Sequence, residues 1–214
     1  MPRPKKNPLI RQKEFIDAAK ELFSSKGYIK TSIQDIMAKV GKNSCSPSVF
    51  YYYFKSKGDI YQKVMEDYMD NYISEFESYL GNKNLMFEEK MFHLLRIFTN
   101  TILKSKNIMF KSKSLKNRVF LLDLKNRIVI KNIKLWDKII TDLPWTLNID
   151  TKAASTYIVG GIAEIAYIFV FGTELKNNKK IFIQSINDLV SNTLNMPKQT
   201  RYILTKKVRR LYDG

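Results

Sequence analysis

Between residues 46 and 57 the chain sets out Ser46, Ser48, three consecutive tyrosines at 51 to 53, and then Lys55 and Lys57. Hydroxyls donate and accept hydrogen bonds, and ammonium groups neutralise negative charge, so this chemistry suits holding a polyanion rather than breaking a covalent bond. Catalysis has little to work with elsewhere. The chain has one His, one Cys and no glycine-rich phosphate loop. Histidine-based catalysis and a His/Cys metal site therefore lack raw material, and no carboxylate spacing suggests acid and base partners. No catalytic residue, metal ligand or cofactor is expected.

The elements that must position those groups can be read around them. Thr31 or Ser32 can cap a helix on which Ile33, Ile36, Met37 and Val40 recur at helical spacing, and Gly41 stops it. From Gly41 to Ser46 every residue is small or polar, as a turn requires, and Ser46-Pro47 is a helix-start signal. In the helix that follows, Val49, Phe50, Tyr53 and Phe54 can point inward while Ser48, Tyr51, Tyr52 and Lys55 lie toward the outer face. Two short helices joined by a polar turn read as a helix-turn-helix, whose second helix enters the major groove of DNA.

The run IDAAKELFSSKGYIKTSIQDIMAKVG followed by FYYYFKSKGDIY resembles the N-terminal DNA-binding domain of the TetR family of bacterial transcriptional regulators, over about residues 10 to 65. Ala18, Ala19, Leu22 and Phe23, then Gly27 and Tyr28, then Thr31, Ile33 and Ile36, and finally Phe50 to Lys57 agree in order and spacing. The resemblance implies that Thr31 caps the second helix near a phosphate and that Ser46, Ser48 and Val49 face bases. It further implies that Tyr51 and Tyr52 contact backbone or bases and that Lys57 holds a phosphate. One departure stands out: Lys42, Asn43, Ser44 and Cys45 separate Gly41 from Ser46, about three residues more than a tight turn needs. Lys42 and Asn43 are expected to add phosphate contacts there.

At 214 residues and 44% hydrophobic content the chain can bury a substantial core. Its net charge of +17 is uneven: residues 1–60 carry +7, 104–138 carry +9 and 198–214 carry +5. Counterion release from phosphate would favour such clusters, though periodic lysines on a helix also serve simply as a solvated face. A lone Cys45 forbids an internal disulfide and suits a reducing cytoplasm, and PRPKKNP has no apolar segment behind its charges, so no signal peptide is expected. That basic arm, residues 1–7, either lies along DNA or is an idle terminus.

Downstream the apolar spacing stays helical almost to the end, so the fold expected is all-α: a helix-turn-helix domain over 8–56 and a larger helical domain over 57–214. Helices are expected at about 8–26, 57–80, 87–104, 114–141, 151–172 and 179–195, with one more after Pro197. Residues 153–171 are mostly apolar, but Ser155, Thr156 and Glu164 interrupt them, which favours a buried helix over a membrane span. Its small residues let a second helix approach, and residues 179–195 offer the matching stripe. Ala154, Ile158, Gly161 and Ile165 with Phe182, Ile186, Leu189 and Val190 are the residues expected at a homodimer interface, two helices from each subunit forming the four-helix bundle by which TetR-like proteins dimerise.

The resemblance also implies a small-molecule pocket in the larger domain, for which His93, Asn100, Trp136, Tyr157 and Glu164 are the candidates; the basic stretch 104–138 raises an anionic effector. The basic C-terminal tail is expected to pack on the dimer rather than on DNA or a membrane. The function implied is a cytoplasmic homodimeric regulator, a repressor of a palindromic operator released by a small effector. A nonspecific architectural DNA-binding protein is the alternative, which leaves the large apolar domain unexplained.

Overall fold

Short polar side chains set most of the helix starts. In the computed structural model, which describes residues 7–41, 46–106, 108, 115–172 and 178–212, Asn7 accepts a hydrogen bond from the Leu9 amide at 3.0 Å and opens α1, Pro8–Lys26. Gly27, at φ 82°, ends it in a region that only glycine enters cheaply. Ser32 and Asp35 form a reciprocal capping box at the head of α2, Ile33–Gly41: the Asp35 amide donates to Ser32 Oγ at 3.0 Å and the Ser32 amide to Asp35 Oδ2 at 2.7 Å. Helix α3 is Pro47–Tyr53, and α4, Lys57–Gly81, opens on a Ser56 cap.

Five further helices follow: α5 Phe87–Lys106, α6 Leu115–Thr141, α7 Thr151–Phe171, α8 Lys179–Thr193 and α9 Lys198–Val208, with Asp150 and Asn178 capping α7 and α8. The described residues contain no strand, so the fold is all-α. The basic arm at residues 1–6 and the long turn with Lys42, Asn43 and Cys45 lie outside the described residues.

Apolar side chains collect in two cores. The first joins Phe15, Ala19 and Phe23 of α1, Ile36 of α2 and Phe50 of α3 to Phe54 and to Ile60, Tyr61, Val64 and Met65 of α4. The second is built from the far half of α4, where Tyr72 and Phe76 lie, and from α5 to α9. A division at residue 57 thus falls where α4 begins, while the first turns of α4 pack into the N-terminal core. Leu124 of α6 also reaches that core. The two halves of the molecule therefore share α4 and touch through α6.

Helix α7 is, among the described residues, the one helix long and apolar enough to cross a membrane. Ala154, Ile158, Ile162 and Phe169 on one side are buried in the second core, and Glu164 on another pairs with Lys125 at 3.1 Å. Gly161 lets α8 come close: a Cβ there would sit 2.6 Å from Leu189 Cδ2, so Leu189 would have to turn away.

Candidate nucleic-acid interface

Helix α3 is held from beneath by aromatic packing. Phe50 and Phe54 are buried, and both meet Phe15 of α1, with ring centroids 5.7 Å and 6.0 Å away and near-perpendicular planes. This anchor leaves the opposite side of the helix outside. Ser46, Pro47, Ser48 and Lys55 are exposed, Tyr51 and Tyr52 are 55% and 76% exposed, and Val49 is half-buried at the edge of the core. Ser46 occupies the cap position, yet its hydroxyl makes no capping bond; it lies 2.7 Å from the Ser48 hydroxyl instead.

One expected phosphate contact is corrected, and a second already has partners within the chain. Thr31 is 1% exposed, and its hydroxyl donates to the Gly27 carbonyl at 2.8 Å, so it ties the turn after α1 while Ser32 caps α2. A side chain so enclosed has no surface for a phosphate. Lys57 Nζ donates to the carbonyls of Tyr28 at 3.0 Å and Thr31 at 2.9 Å, and sits 4.4 Å from the centre of the Tyr28 ring. Its ammonium fastens the start of α4 to the α1–α2 turn, and desolvation there lowers its pKa from the ordinary lysine value. Lys42 and Asn43, also expected to contact phosphate, lie outside the described residues.

Other charges brace the same unit. Asp67 of α4 accepts from Lys13 and Lys20 of α1, both at 2.6 Å. Burial opposes ionisation of Asp67, but those two bonds outweigh it and its pKa is lowered. Lys26 pairs with Asp35 at 2.8 Å; that bond first, and the Ser32 bonds after it, hold the carboxyl below the usual range. Sequence reading overlooked these braces, although the Ser-x-x-Asp spacing of the capping box was visible.

In the larger domain, the expected effector residues scatter. Asn100, Tyr157 and Glu164 are exposed and line no interior space. His93 stacks on Tyr79 with centroids 4.4 Å apart, away from the interior cavity. Only Trp136 lines that cavity, a space of about 50 Å³ in the second core, among Tyr72, Phe98, Ile128, Asn132 and Ile162. Its polar groups are already matched: the Tyr72 hydroxyl donates to Asn132 Oδ1 at 2.8 Å, and Asn132 Nδ2 donates to the Ile128 carbonyl at 2.9 Å. Burial raises the Tyr72 pKa, so the phenol stays neutral. Ile128 also borders an open cleft of about 270 Å³ between α4 and α6, edged by Glu66, Asp70, Arg127 and Lys131.

Five of the eight residues expected at a subunit interface are reassigned, and the other three are half-buried. Ala154, Ile158, Phe182, Ile186 and Val190 are buried in the chain's own core, Ile165 packs against it, and Gly161 and Leu189 face each other. A fully buried side chain has nothing left to offer a partner. The outward sides of the same helices carry Tyr157, Gly160, Glu164 and Tyr167 on α7 and Ile181 and Gln184 on α8.

Residues 15–64 match the model for bacterial regulatory proteins of the tetR family. No curated protein matches the chain in sequence. Among solved structures, the fatty acid degradation regulator FadR of Bacillus halodurans shares 17% identity, with a TM-score of 0.60 over 87% of this chain and 96% of its own. A TetR/AcrR-family regulator from Thermobifida fusca YX-ER1 shares 22%, TM-score 0.59, over 85% of this chain and 97% of its own. The regulator FadR from Bacillus subtilis, solved with stearoyl-CoA, shares 21%, TM-score 0.57, over 84% and 97%. At such identities the likeness of the whole chain is one of fold.

Proposed function

We propose, from the premise that residues 15–64 belong to the tetR family of bacterial regulatory proteins, that this chain is a cytoplasmic repressor of transcription, binding a palindromic operator as a homodimer and released by a small effector. The exposed hydroxyl face of α3, set rigidly on Phe15 by Phe50 and Phe54, carries this reading. Ser46, Ser48 and Val49 would approach base edges, Tyr51 and Tyr52 bases or backbone, and Lys55 a phosphate. Lys57 and Thr31 would act by positioning α3. The outward faces of α7 and α8 would form the four-helix contact between subunits, which sets two recognition helices one helical turn of DNA apart.

The effector would be uncharged and mainly apolar where it enters the core, because no charged side chain lines the cavity around Trp136 and Tyr72. An anionic effector held by residues 104–138 finds no support in that lining. The α4–α6 cleft beside Ile128 offers the way in, and widening it would move α4, which directly follows α3 in sequence. The FadR neighbour was solved with stearoyl-CoA, whose apolar acyl chain is the kind of group such a lining suits, although its nucleotide head is anionic.

Footprinting on the chain's own upstream region, with excess competitor DNA at physiological salt, tests the reading. A protected palindrome is expected; protection without sequence preference would favour an architectural role.

A further inference from the structure

From Ser46 to Phe54 the chain contains no Arg, Lys, His, Asn, Gln, Asp or Glu. In the major groove, a guanidinium or ammonium matches the paired acceptors of guanine. A carboxamide matches the acceptor and donor of adenine, and a carboxylate accepts from cytosine. Helix α3 presents none of these groups. It presents the pyrrolidine ring of Pro47, the rings of Tyr51 and Tyr52, and hydroxyls. Of the four bases only thymine marks the major groove with an apolar group, its C5-methyl.

The two exposed rings are held in place. Tyr51 meets the buried Phe50 edge-on, with centroids 5.4 Å apart and planes at 90°. Tyr52 meets Tyr53 in the same way at 4.8 Å and 90°. Edge-to-face packing on an anchored neighbour fixes ring direction, so two residues 55% and 76% exposed display their rings at little entropic cost. The paired hydroxyls of Ser46 and Ser48, 2.7 Å apart, share one hydrogen and keep one donor and spare lone pairs. Serine accepts either purine or pyrimidine edges and discriminates weakly.

We propose that α3 reads thymine: C5-methyl groups of neighbouring A·T pairs pack on Pro47, Tyr51 and Tyr52, and specificity under this helix comes from those methyls rather than from hydrogen bonds to guanine. The inference rests on the chain binding duplex DNA. It makes Tyr52 a specificity-determining residue and the operator half-site A·T-rich beneath α3.

The test begins with duplexes enriched from a random library by the full-length protein. In the enriched half-site, deoxyuridine then replaces thymidine, removing only the methyl, and 7-deazaguanine replaces guanine, removing only N7. A·T-rich half-site cores are expected, with affinity falling about fourfold for each contacted methyl removed and unchanged by 7-deazaguanine. Tyr52→Ala, on an exposed side chain, is expected to lose part of the thymine-over-uracil preference while keeping its thermal unfolding midpoint. Uracil duplexes that bind like the originals, or a half-site that depends on guanine N7, would overturn thymine reading while leaving sequence-specific binding intact. Enrichment of no duplex, or equal binding to single strands through ring stacking, would overturn it together with the repressor assignment.

Discussion

Lys57 separates two roles that one residue type can play. A lysine at the start of α4 beside a recognition helix invites a phosphate contact, but its ammonium is committed to the carbonyls of Tyr28 and Thr31. Lys57→Met is therefore expected to cost about 1–2 kcal/mol in urea unfolding, the worth of charge-assisted bonds at a half-exposed site. It should weaken DNA binding without changing the salt slope; a slope smaller by about one would mean that the lysine neutralises a phosphate after all. His93 gives a pH dependence. Burial first, and Arg96 next, lower its pKa, and its Nδ1 is buried without a hydrogen-bond partner among the described residues. The unfolded chain then takes up the proton before the folded one, so stability held above the unfolded value of about 6.5 is lost as pH falls below it. His93→Phe keeps a ring against Tyr79 and should flatten that acid limb in unfolding curves; parallel curves for the two proteins would refute it. At this scale the sequence was readable in kind and not in detail. That a hydroxyl caps α2 was clear, but Thr31 and Ser32 are adjacent, and only the geometry turns Thr31 inward and Ser32 onto Asp35.

Among elements, boundaries were legible because caps and breakers are local signals: Asn7-Pro8, Gly27, Ser56, Asp150 and Asn178 all lie where helices change. Facing was legible only where a helix has a polar side. Helix α7 is apolar nearly all round, so nothing in its pattern tells Ile158, which is buried, from Tyr157, which is 63% exposed. The same holds for the cavity, whose Tyr72–Asn132 bond joins residues 60 apart in the chain. The reassigned faces of α7 and α8 make a sharp expectation. Gly160 has no atom within 4 Å of where a side chain would begin, whereas Gly161 abuts Leu189. In sedimentation, Gly160→Leu should give a folded monomer, because in the proposed dimer its side chain would meet only the partner subunit. Gly161→Leu should instead lower the unfolding midpoint by wedging α7 from α8. A Gly160→Leu protein that remains dimeric would move the subunit contact away from this stripe.

For the whole molecule, the shared helix α4 matters most. It carries Ile60 to Met65 in the N-terminal core and Tyr72 and Phe76 in the second, so a change in the cavity at Tyr72 acts on a rod whose other end helps support α3. An effector can weaken operator binding only by its preference for the DNA-incompetent arrangement, typically about 1–3 kcal/mol of coupling. Fold class was the most legible property, because helical spacing persists throughout and the helix-turn-helix signals agree with one another. Which interior space could take a ligand was the least legible, because it depends on how α4, α6 and α7 meet. The central claim, that α3 lies against a duplex twice per assembly, is tested most directly by titrating the protein onto the footprinted upstream duplex at physiological salt with competitor present. Two chains per duplex are expected, on half-sites about one helical turn apart, with affinity orders of magnitude above that for competitor. A monomer that binds the upstream duplex and the competitor alike would contradict the account.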